Sequence, residues 1–96
     1  MTDLAKLAAI LASERCSHAS LADGTGVLLD IHGEQILALN ATGEVLVGAL
    51  LEGVTEAGLL AERLTQRFAV EPGQAREDAA EFMAGLEARL VLRGKG

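Results

Sequence analysis

The chain predicts an α+β domain: one helix, two or three short strands, then three short helices. Three observations carry that reading. Strand-like segments come first and helical ones follow, an order that segregates into an α+β layout. The strand segments lie only a few residues apart, which suits antiparallel hairpins and leaves no room for a parallel crossover. Ninety-six residues fit one domain with one modest core, and half of them are apolar, so disorder is not expected. Phe68 and Phe82 are the only aromatics, so the core must be built from Leu, Val, Ile and Ala.

Thr2 can cap the first helix, with Asp3 in its opening turn. Leu4, Leu7, Ala8 and Leu11 follow at helical spacing up to about Ser13, and this stripe must be buried on something. A helix of about 12 residues is only marginally stable alone in water, so it either packs on the domain or joins two chains into a homodimer. Cys16 to Leu21 reads as a weak strand, and Asp23-Gly24-Thr25-Gly26 as a turn. In Val27-Leu28-Leu29-Asp30-Ile31, the residues Val27, Leu29 and Ile31 share one face. His32-Gly33-Glu34 turns the chain. In Gln35-Ile36-Leu37-Ala38-Leu39, Leu37 and Leu39 oppose Ile36 and Ala38, so both faces are apolar, which implies two things covering them, one of them a ligand.

The last three helices have their own signals. Thr42 can cap the first, with Glu44 in its opening turn, Val45, Leu46, Ala49 and Leu50 inward, and Glu52-Gly53 as the stop. Thr55 caps the second, whose inner face is Ala57, Leu60, Ala61, Leu64 and Phe68. Pro72 opens the third, where Ala75, Ala79, Phe82, Met83, Leu86 and Leu90 run down one side. Phe82 and Met83 point about 100° apart, so one of them belongs at the edge of the core. The tail from Arg93 to Gly96 should fray.

Charge and chemistry exclude several functions. Fourteen acids against eight bases leave a net charge of −6, and the bases are interleaved with acids. Binding to phosphate backbones needs a cluster of uncompensated Lys and Arg, and base stacking needs aromatic platforms. Cys16-Ser17-His18 and His32 supply a thiol and imidazoles without an orienting third group, so no catalytic set is expected. One Cys and two His without paired spacing make no zinc site. Gly24-Thr25-Gly26 precedes a strand and no Gly-Lys-Ser/Thr follows it, so it is a turn and not a phosphate loop. Ser20-Leu21 lacks the helix start that an acyl carrier serine needs. No apolar run spans a membrane, Cys16 has no partner, and no basic signal region opens the chain, so the cytoplasm is expected.

The blocks Gly26 to Asp30, Leu39-Asn40-Ala41-Thr42-Gly43, Leu50-Leu51-Glu52-Gly53-Val54-Thr55, Leu64 to Phe68 and Asp78 to Leu92 together resemble the PqqD-like family. These are peptide-recognition domains of ribosomal peptide natural-product pathways. Val47 stands where many relatives carry Trp, and Leu90-Val91-Leu92 where many carry Gly-Leu-Leu. The resemblance implies a three-stranded antiparallel sheet packed on a three-helix, winged-helix-like bundle, with the first helix as an addition. Residues 1–14 would be that helical extension, 15–93 the peptide-binding domain and 94–96 a frayed tail. The implied role is non-catalytic and needs no cofactor: holding the leader of a precursor peptide and presenting the rest to a modifying enzyme. Two other readings are a winged-helix DNA-binding protein and a structural subunit of an enzyme complex. Against the first, the segment Thr55 to Phe68 balances Glu56 and Glu62 with Arg63 and Arg67.

The expected site is the strand Gln35-Ile36-Leu37-Ala38-Leu39 as an exposed sheet edge. In the family the leader adds there as a further antiparallel strand. Backbone groups of an edge strand pair with almost any extended peptide, so specificity must come from side-chain pockets. Across the groove, Ala75, Ala79, Phe82, Met83 and Leu86 are expected to offer them, with Arg76 and Arg89 at the rim.

Overall fold

The protein is described from a computed structural model, which covers residues 2–92. Asp3, one residue after the expected cap, opens α1 (Leu4–Ala12): its carboxylate accepts the Lys6 N–H at 3.0 Å. Asp3 is the residue next to the first turn and is a strong capping residue, and Thr2 lies outside the helix. Three strands follow, β1 (Cys16–Ser20), β2 (Gly26–Asp30) and β3 (Gln35–Leu39), paired antiparallel in the order β1-β2-β3. Gly24, at φ 90°, supplies the left-handed residue of the first turn. The second turn places the non-glycine Glu34 at φ 51°.

The sheet has one buried face. Leu28, Leu37 and Leu39 point into the core, while Leu29 and Ile36, and Val27 and Ala38, pair across the outer face. The row Val27, Leu29 and Ile31 is therefore the outer one, and the inner row of β2 ends on a charged residue, Asp30.

α2 (Ala41–Leu51) is capped by Asn40, not Thr42: the Asn40 side chain accepts the Gly43 N–H at 2.8 Å. Gly53, at φ 96°, ends it as expected. α3 (Ala57–Arg67) starts at Glu56 with no side-chain cap, so Thr55 does not cap it, and Ala57 is exposed. α4 (Pro72–Glu87) opens with Pro72 and runs into a π-helical stretch, Ala88–Leu92, which keeps Leu90 fully buried. Leu7 and Leu11 of α1 sit in the same core as Leu46, Leu50, Leu60 and Leu64. The first helix thus packs on its own domain. The expected fraying at residues 93–96 lies outside the described residues.

Candidate peptide-binding groove

β3 pairs with β2 on one side only, so its other edge is free among the described residues. Two anchors set α4 beside that edge. At one end is Asp30, fully buried. Its carboxylate accepts from Arg15 Nε at 3.2 Å, the Gly33 N–H at 3.1 Å and Gln35 Nε2 at 2.9 Å. Gln35 Nε2 also donates to the Arg89 carbonyl at 3.1 Å, and Arg15 Nη2 to the Leu90 carbonyl. Burial alone would raise the Asp30 carboxyl, but the Gln35 amide, the Arg15 guanidinium and the Gly33 N–H hold it below its usual range. At the other end is Gly43, buried at the start of α2. A Cβ there would stand 2.8 Å from Phe82 Cε1, so its absence lets the ring lie across the helix start. The Leu-Asn-x-Thr-Gly block thus has a physical purpose: Asn40 caps, and Gly43 admits Phe82.

Between these anchors runs a groove of about 270 Å³. Its β3 wall is Ile36 to Leu39, and its other wall is Glu81, Phe82, Gly85 and Leu86 of α4 with Arg89 of the π-helical stretch. Ile36 is 71% exposed, the most exposed of the large apolar side chains. The groove continues past Leu39 and Asn40, where Asp78, Glu81 and Phe82 face Thr42. Ile36, Leu37, Ala38, Leu39, Phe82 and Leu86 line this groove together with Arg89, and Gln35 reaches its end through the bond to the Arg89 carbonyl.

Ala75, Arg76, Ala79 and Met83 are not part of this groove. Ala75 is fully buried, and Ala79 and Met83 are only 4% and 2% exposed. With about 100° between successive helical residues, they fall on the side of α4 turned to α3 and α1. There Arg76, Ala79 and Met83, with Leu4, Ala57, Gly58 and Ala80, line a separate cavity of about 420 Å³. The sequence reading missed Glu81 and Gly85. The signal was present: glycine inside a helix costs about 1 kcal/mol relative to alanine and wants a packing or functional reason.

The polar residues of β1 gather elsewhere. His18 Nε2 lies 2.7 Å from Glu44 Oε1, and the Ser20 hydroxyl donates to Glu44 Oε2. Burial opposes the Glu44 charge, but the Ser20 hydroxyl and the His18 ring outweigh it and lower its pKa. A side chain at Gly26 would strike this carboxylate. The serine binds the carboxylate and not the imidazole, so the trio is not the arrangement that activates a serine nucleophile. Burial, with the nearby Asp30 charge, raises the Cys16 thiol against the opposing pull of Arg15, which makes it a poor nucleophile. Among the described residues no three His, Cys, Asp or Glu side chains converge as a metal site, and no helix is long and apolar enough to cross a membrane.

No curated protein matches the chain. A solved structure described as TbiB1 in complex with the TbiA(beta) leader peptide shares the fold, with a TM-score of 0.67 at 22% identity. The match covers 77% of this chain and 84% of that one. The family model for coenzyme PQQ synthesis protein D matches residues 25–92, beginning just before β2 and ending with the π-helical stretch. With that match over most of its length, the chain belongs to the PqqD family.

Proposed function

We propose that this protein holds the leader segment of a ribosomally made precursor peptide and presents the remainder to a modifying enzyme, with no chemistry of its own. The observation that carries this is the free edge of β3 beside a groove walled by α4. An extended peptide pairs its backbone with such an edge and sets alternate side chains into the groove. The family membership supports the reading, and so does the shared fold with a protein solved on a leader peptide. The charge of α3 argues against DNA: Arg63 is already paired with Glu52 at 2.9 Å, leaving no basic excess. Nothing about α1 requires a homodimer, because its apolar stripe is covered within one chain.

The test is calorimetric titration with the leader segment of a cognate precursor peptide, on wild type and on Gly85→Arg. Gly85 is exposed and a Cβ there meets nothing, so the variant should fold. It should bind at least tenfold more weakly with an unchanged or higher melting temperature. Equal affinity in the folded variant would place the peptide elsewhere.

A further inference from the structure

The groove carries opposite charges at its two ends. Arg89 stands at the end where Gln35 Nε2 meets its carbonyl, beside Ile36. Glu81 stands at the other end, beside Asn40, with Asp78 one turn earlier. Among the described residues neither Glu81 nor Arg89 forms an ion pair. Between them Gly85 opens the wall, flanked by Phe82 and Leu86. β3 therefore runs from the basic end to the acidic end, and α4 runs the opposite way.

The spacings of helix and strand then match. Glu81 and Gly85 are four residues apart on α4, a rise of about 6 Å, and Arg89 follows four residues later, at the start of the π-helical stretch. On an extended peptide, alternate residues face the same way and rise about 6.6 Å per step. Three successive inward positions of a peptide strand thus meet Glu81, Gly85 and Arg89 in turn. A strand added antiparallel to β3 runs parallel to α4 and meets Glu81 first. Antiparallel addition extends a sheet that is already antiparallel throughout, and antiparallel pairing is slightly the more stable per residue.

We infer that the groove selects an extended peptide carrying a basic residue, an apolar residue two positions later and an acidic residue two positions after that, in that N-to-C order. This rests on the proposed leader-binding role and names the sequence class that the groove takes. Glu81 holds the basic side chain, the gap over Gly85 seats the apolar one between Phe82 and Leu86, and Arg89 holds the acidic one. Reversing the order of the two charges turns both attractions into repulsions, which for exposed pairs is worth about tenfold in affinity.

The probe is a phage-displayed library of random peptides about twelve residues long, selected on wild type, on Glu81→Arg/Arg89→Glu and on Gly85→Arg. All three substituted positions are exposed, and retained melting temperatures verify folding. Wild type should enrich the basic–apolar–acidic order relative to Gly85→Arg, and the charge-reversed variant should enrich the acidic–apolar–basic order. Synthetic peptides of the two orders should then differ about tenfold in affinity, in opposite senses for the two proteins. Groove-dependent peptides with no charge order, or an order that does not invert, would overturn this inference and leave the groove reading standing. Enrichment identical on all three proteins, or none on any, would overturn both.

Discussion

Gly85 is a residue whose cost exposes its purpose. It sits inside the sixteen-residue α4, exposed, with nothing within reach of an added Cβ. Gly85→Ala should therefore stabilise the protein by about 0.5 to 1 kcal/mol in urea unfolding. Asp30 is the opposite case. Removing its carboxylate takes a partner from Arg15, Gln35 and the Gly33 N–H at a buried strand end, so Asp30→Ala should cost about 3 kcal/mol in the same measurement. The sign of the pH effect follows from the lowered carboxyl pKa. A carboxyl depressed on folding contributes stability fully present above its ordinary value, 3.8 for Asp, and lost as pH falls through its folded value. Glu44 acts the same way from its ordinary 4.5. Melting temperature should thus decline as pH drops below about 4.5, and less steeply in Asp30→Asn, provided that variant folds at neutral pH. A steeper decline in the variant would contradict the sign.

Among the elements, α1 tests how far the domain extends beyond the matched family region. That region begins at residue 25, yet Leu7 and Leu11 are buried in the common core. Leu7→Ala should cost about 3 kcal/mol, on the order of 15 °C in melting temperature. Deleting residues 1–13 should lower it further in calorimetry, and an unchanged value would make α1 a dispensable arm. The elements were legible in the sequence because hydrophobic period and glycine punctuation agree along the chain. Their caps were less so. Thr2, Thr42 and Thr55 are good capping residues, but Asp3 and Asn40 hold the capping geometry and α3 has no side-chain cap. The π-helical end of α4 left no composition signal.

For the whole molecule, the edge strand was readable because Ile36 and Ala38 oppose Leu37 and Leu39, leaving an apolar pair outside the core. Which face of α4 meets that edge was not readable. A helix apolar on more than one side gives no azimuth, and the small residues Ala75 and Ala79 are buried on a side of α4 that does not line this groove. That assignment matters for experiment: Ala79→Arg would disrupt packing, whereas Gly85→Arg tests the groove.

The most direct test of peptide addition at β3 is amide chemical-shift mapping on titration with the leader. The amides of residues 36–39, 82, 85, 86 and 89 should move together. The β3 amides should also gain protection from hydrogen exchange as the new strand pairs. If residues 57, 58 and 80 around the larger cavity move while β3 stays fixed and unprotected, the peptide does not extend the sheet and the account is wrong.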